Sequence, residues 1–151
     1  MEKKEHWVNN AVLLNERDNV IKLSIIMPCF NVGETLERAL DSILMQRVNF
    51  EYEIIIVDDA SGDNTIDIAK KYQKQYPQIV IHRHEQNKGN ALSFYDGLSL
   101  AKGDYFCVLD GDDYYTIPDK LQRQIDFFDR DINCEYVASV HYHVVDTCDG
   151  R

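Results

Sequence analysis

A chain of 151 residues that is 44% hydrophobic can bury the core of one domain and is not a disordered segment. Acidic residues outnumber basic ones 26 to 16 and the formal net charge is -10. That balance speaks against nucleic acid and against an anionic membrane surface as partners, because both recruit Lys and Arg.

Residues 1–21 are weakly patterned and read as an extension, with Val12 to Leu14 as a short helix and Trp7 docking on the body. From Lys22 the pattern sharpens. Leu23 to Met27 is a short apolar run closed by Pro28, the mark of a buried strand. Leu36, Leu40, Ile43 and Leu44 then recur at helical spacing. Glu53 to Val57 is a second buried strand that stops at Asp58-Asp59. Ser61 to Thr65 is turn and cap chemistry with Asp63 as the N-cap, and Ile68, Ala69, Tyr72 and Tyr76 continue a helix up to Pro77. Ile79 to Ile81 is a third strand. Gly89 leads into a helix carrying Ala91, Leu92, Tyr95 and Leu98, which ends before Gly103. Tyr105 to Leu109 is a fourth strand. Thr116 as cap, Pro118 in the first turn and Asp119 closing a capping box start a helix whose inner face is Leu121, Ile125 and Phe128. Tyr136 to Val145 reads as a fifth strand and Asp149-Gly150 as a turn.

Strands alternating with helices predict an α/β fold, a three-layer α/β/α arrangement around a mostly parallel sheet. Ligands of such sheets bind beyond the carboxyl ends of the strands. Three of these ends carry polar groups: Pro28-Cys-Phe-Asn31, Asp58-Asp59, and the cluster Asp110, Asp112 and Asp113. Carboxylates so close repel unless a positive charge sits among them, and a hard cation, Mn²⁺ or Mg²⁺, suits carboxylate oxygens. A solvated turn is the plainer alternative, since Asp and Gly are turn residues.

The four cysteines, Cys29, Cys107, Cys134 and Cys148, fit neither a zinc spacing nor a small disulfide framework. Two lie in apolar runs and read as reduced thiols of a cytoplasmic protein. No apolar run reaches the length of a membrane span, and no signal peptide opens the chain. His82 and His84, like His141 and His143, alternate on one strand face and read as surface or sheet-edge histidines before metal ligands.

Four motifs occur in order: Ser24-Ile-Ile-Met-Pro-Cys-Phe-Asn31, Val57-Asp-Asp-Ala-Ser-Gly-Asp-Asn-Thr65, Asn87-Lys-Gly89, and Gly103-Asp-Tyr-Phe-Cys-Val-Leu-Asp-Gly-Asp-Asp113. Over roughly residues 22–150 the chain resembles the nucleotide-sugar half of the family 2 glycosyltransferases, inverting enzymes of the GT-A fold. The resemblance implies that Pro28, Cys29, Phe30 and Asn31 border the nucleotide base and that Asp59 accepts a hydrogen bond from the uracil edge. It implies that Lys88 and Gly89 pass near the donor, and it extends the donor set to Glu34 and Ser61. Asp110-Gly111-Asp112 matches the family's acid-any-acid signature, with Asp110 by the ribose and sugar. The metal on the diphosphate falls to Asp112, with Asp113 as competitor. The implied partners are a nucleotide-diphosphate sugar, UDP-linked by family preference, and a glycan or other hydroxyl acceptor, placing the protein in the cytoplasm or at the inner face of the membrane.

The chain departs from the family pattern twice. The catalytic base lies well downstream of the acid motif in the family, and few residues follow Asp113 here. The base is therefore expected beyond Arg151, residues 22–151 read as a donor region with an incomplete acceptor half, and a face left uncovered would favour a homo-oligomer. Phe94-Tyr95 also replaces the Arg-Asn of many relatives. The rival readings are a catalytically silent nucleotide-sugar-binding module, a phospho-receiver domain and a sugar-nucleotide pyrophosphorylase. A receiver would place its acid pair after the first strand and a lysine after a later one. A pyrophosphorylase would carry a Gly-rich basic loop where Pro28 to Gly33 stands.

Overall fold

The computed structural model describes residues 21–131. The readings of Trp7, Val12 to Leu14, Cys134, Tyr136 to Val145, His141, His143, Cys148 and Asp149-Gly150 lie outside those residues.

Four strands, β1 (Ile21–Cys29), β2 (Glu51–Asp58), β3 (Ile79–Arg83) and β4 (Tyr105–Val108), form one parallel sheet in the order β3-β2-β1-β4. Ile25, Ile26, Met27 and Ile54 to Val57 are all fully buried, as expected of parallel strands covered on both faces. The helices are α1 (Leu36–Leu44), α2 (Thr65–Gln75), α3 (Asn90–Leu100) and α4 (Lys120–Arg130). Leu36, Leu40 and Ile43 of α1, Ile68, Ala69 and Tyr72 of α2, and Leu121 and Ile125 of α4 join Leu23, Ile25, Met27, Ile54 and Ile56 in one core. The opposite face, carrying Ile26 and Val57, receives α3. A parallel α/β sandwich is therefore the fold, as the sequence predicts.

Four local expectations need correction. The first strand does not stop at Pro28 but runs to Cys29. Proline is tolerated there because its missing N–H faces β4, whose ladder ends at the pair Ile26 and Val108, while its carbonyl accepts the N–H of Gly111 at 3.2 Å. Secondly, of the apolar residues that mark α3 in the sequence, Leu92 and Tyr95 are exposed and do not form its inner face. Its inner face is Ser93 and Gly97, and a carbon added at Gly97 would stand 2.6 Å from Cγ2 of Ile26. The helix rides on the sheet through small residues, so its large apolar ones point elsewhere.

Thirdly, α4 starts at Lys120 with Asp119 as its N-cap residue, rather than at Thr116. Its first-turn donor, the N–H of Leu121, goes to Oε1 of Gln46 at 3.1 Å, a cap supplied from beyond α1. Finally, Asn64 rather than Asp63 takes the N-cap position of α2. Asp63 accepts the N–H of Thr65 and also that of Gly33, so it braces the β1–α1 loop as well as the helix. Beyond β4, no strand among the described residues covers the sheet edge, and Phe106 and Val108 are partly exposed.

Candidate functional site at the sheet's switch point

The chain runs outward from β1 through β2 to β3 and then returns to the other side of β1 for β4. The strand order reverses between β1 and β4, and the crevice beyond their carboxyl ends is where this architecture takes ligands. A cleft of about 390 Å³ lies there, lined among others by Pro28, Cys29, Phe30, Asp59, Gly89, Asp110, Gly111 and Asp112. Eight of the residues singled out in the sequence thus share one cavity.

The remaining ones are placed differently. Asn31 (φ 53°) clasps the next loop: its N–H donates to Oγ of Ser61 at 3.0 Å and its Oδ1 accepts the N–H of Gly62 at 2.8 Å. These bonds tie the loop after β1 to the loop after β2, and neither Asn31 nor Ser61 lines the cleft. Lys88 donates its N–H to Asp59 at 2.8 Å, while its ammonium turns to Asp96 at 3.0 Å. Glu34 lies exposed in the β1–α1 loop and does not line the cleft. Asp113 turns back through its N–H to the carbonyl of Asp110 and does not line the cleft either.

The two acids that end β2 divide their work. Asp58 is fully buried; it accepts the N–H of Ser61 and lies 3.0 Å from Nε of Arg83, so it serves structure. Asp59 holds the turn before α3. Its Oδ1 accepts the N–H of Lys88, and its Oδ2 that of Gly89 at 2.7 Å. Burial alone would raise its carboxyl, but the hydrogen bonds from His84, Lys88 and Gly89 outweigh it and hold Asp59 below its ordinary value.

At the other wall, burial first and then the charges of Asp112 and Asp113 raise the Asp110 carboxyl. Negative charge is thus crowded at the mouth of the cleft, and the donor set is all hard oxygen. Those residues fit a divalent oxygen-binding cation, with Asp112 the one of the pair that lines the cleft. Cys29, 2% exposed, has its thiol pushed up by burial and by Asp58, Asp110 and Asp112; it is a packing residue and not a nucleophile. Phe30 is 50% exposed on the cleft, so it is not a core aromatic.

Sequence reasoning missed His84 and Asp96. His84 is not a surface residue: it is 4% exposed and lies between Asp59 and Asp96. Alternation along β3 shows which face a histidine takes, but not that two carboxylates from other elements meet it there.

Comparison with known proteins now places the chain. The family model "Glycosyl transferase family 2" matches residues 24–147, and the chain belongs to that family. The uncharacterized protein Rv1520 of Mycobacterium tuberculosis is 41% identical over 109 residues, covering 72% of this chain and 32% of that protein. The crystal structure of S. aureus TarS in complex with UDP is similar at 29% identity and TM-score 0.66, covering 73% of this chain and 32% of that one. The mannosyltransferase PcManGT of Pyrobaculum calidifontis, in complex with GDP-Man and Mn²⁺, is similar in fold at 22% identity and TM-score 0.65, covering 71% and 32%. The chain spans about a third of the length of these relatives. No helix among the described residues is long and apolar enough to cross a membrane.

Proposed function

We propose that this chain forms the donor-binding part of an inverting glycosyltransferase that moves a sugar from a UDP-linked donor to an acceptor hydroxyl, assisted by Mn²⁺ or Mg²⁺. The observation that carries this reading is the convergence of Phe30, Asp59, Asp110 and Asp112 on one cleft at the switch point of a sheet that belongs to this family. The likeness to TarS, solved with UDP, supports the uridine preference.

In this reading the uracil ring lies against the exposed face of Phe30, and its N–H meets the carboxylate of Asp59. The amino end of α3, from Gly89 and Asn90, faces the same cleft and offers its first-turn N–H groups toward negative charge. Asp110 takes the ribose and sugar side. Asp112 would hold the cation, with water and phosphate oxygens completing the shell. When bound, such an ion supplies positive charge opposite the negative charge that grows on the departing diphosphate. Transfer also requires a carboxylate base for the acceptor hydroxyl. That base belongs, by this reading, to the acceptor half, and we assign it to no residue among 21–131. We place the work on the cytoplasmic side, where nucleotide sugars are supplied.

Calorimetric titration with UDP, with and without Mn²⁺, tests the reading. Mn²⁺-dependent binding that Asp112→Ala removes is the expected result. Absence of binding by the folded wild-type chain overturns it.

A further inference from the structure

His84 is the buried titratable group for which the donor reading has no task. It follows the edge strand β3, yet its side chain is 1% exposed. Its Nδ1 lies 2.6 Å from Oδ1 of Asp59 and its Nε2 lies 2.9 Å from Oδ2 of Asp96. Ionised carboxylates only accept, so each ring nitrogen of His84 faces an acceptor and both are engaged by a carboxylate. The other charges around it are accounted for. Lys88 reaches Asp96 from the loop, His82 meets the ring edge-on at 5.2 Å, and Arg83 turns away to Asp58.

The bonds close a ring through three elements. Asp59, at the end of β2, holds the N–H groups of Lys88 and Gly89 at the start of α3, and His84 ties the same carboxylate to Asp96 in the middle of α3. Helix α3 is thereby fixed to the sheet end at two points. With His84 and Lys88 both on Oδ1, that oxygen is filled. Oδ2, which receives only Gly89, keeps a lone pair.

We propose that His84 is a positioning residue for nucleotide recognition: it locks the Asp59 carboxylate so that Oδ2 is presented to the base and the amino end of α3 is aimed at the cleft. This rests on the donor reading above. The same geometry explains why His82, His84 and Asp96, whose ligand atoms lie within 4.8 Å of one another, are not taken as a metal centre. Both nitrogens of His84 are in use, and the Lys88 ammonium already occupies the cation seat beside Asp96.

The test is titration of the wild-type chain, His84→Leu, His84→Gln and Asp96→Asn with UDP in the presence of Mn²⁺, with a thermal melt of each. Amide-proton spectra of Lys88 and Gly89 accompany it. We expect His84→Leu to weaken UDP binding about ten-fold or more. His84→Gln, whose amide still donates to Asp59, should recover part of the loss, and Asp96→Asn should lose less than His84→Leu. The Lys88 and Gly89 amide resonances should move in His84→Leu, because their acceptor is released; a residue that merely filled space would give no recovery in His84→Gln over His84→Leu. Unaltered affinity in a folded His84→Leu overturns the proposal while the donor reading survives. Should that variant not fold, unaltered affinity in both His84→Gln and Asp96→Asn does the same. Tight Zn²⁺ binding by the wild-type chain, lost in His82→Ala, would also overturn it. Failure of the wild-type chain to bind UDP removes the donor reading and this inference together.

Discussion

A carbon added at Gly111 would stand 2.8 Å from Sγ of Cys29, and as close to Cγ2 of Val32. The acidic turn after β4 is thus laid against the end of β1, with the Gly111 N–H on the Pro28 carbonyl and its own carbonyl taking the hydroxyl of Thr35 at 3.0 Å. Glycine in the acid-any-acid motif is a packing requirement of the switch point.

It follows that Gly111→Ala destabilises the chain by about 1–3 kcal/mol, the usual cost of overpacking. Urea unfolding measures this. Cys29→Ala introduced beside it should return part of the loss by vacating one of the two contacts. An alanine variant as stable as the wild type would show that the loop yields freely and that the close approach is not a constraint.

Phe30 offers the opposite case, an aromatic side chain half in solvent at the cleft. Its removal should hardly touch the fold: Phe30→Ala should stay within about 0.5 kcal/mol of wild-type stability. If the ring stacks on the base, the same change weakens UDP binding by about ten-fold, the lower end of what a base–aromatic stack contributes. A melt and a titration on one sample separate the two effects. A large stability loss with unchanged affinity would return Phe30 to the core.

These contrasts show what a sequence makes visible. The strands were legible because Leu23 to Met27 and Glu53 to Val57 are apolar runs bounded by turn chemistry. Asp59 was legible because it follows the run Glu53 to Val57, and Asp110 and Asp112 because they follow Tyr105 to Leu109, where the architecture opens its crevice. The inner face of α3 was not, because Ser93 and Gly97 pack it by being small and carry no hydrophobic signal, while exposed Leu92 and Tyr95 carry a misleading one. The start of α4 was misplaced because Thr116 to Asp119 looks like a self-contained cap, whereas the cap comes from Gln46. His84 was misread for the same reason: its partners are distant in sequence and meet it only in the fold.

At the acidic wall, burial and then Asp112 and Asp113 raise the Asp110 carboxyl. A raised carboxyl favours the fold when protonated. That contribution is present in full below the ordinary aspartate value and is lost as pH rises through the raised one. At neutral pH and without metal, Asp110 is therefore a burden on stability. Asp110→Asn should raise the metal-free melting temperature at pH 7 by about 1–2 °C, a small shift because the group is half exposed and solvent screens it. The gap should close as pH falls, and Mn²⁺ should stabilise the wild type more than the variant. A variant that melts below the wild type at pH 7 would contradict the crowding of charge at this wall.

Asp59 has the reverse sign. Burial works to raise its carboxyl, but the bonds from His84, Lys88 and Gly89 prevail and lower it. A lowered carboxyl contributes stability above its unfolded value, about 3.9, and that stability drains away as pH falls through the folded value. Asp63, also lowered against the pull of burial by its bonds to Thr65 and Gly33, acts in the same window. The wild-type chain should therefore lose stability steeply below about pH 4. Asp59→Asn should be less stable at pH 7 by about 1–3 kcal/mol, since the part-buried N–H groups of Lys88 and Gly89 lose a charged acceptor. Its acid limb should be shallower than that of the wild type, because one of the carboxylates responsible is gone. Urea unfolding at pH 7 and pH 3 measures both quantities. Equal slopes in the two proteins would mean that the Asp59 carboxylate is not what ties the start of α3 to the end of β2.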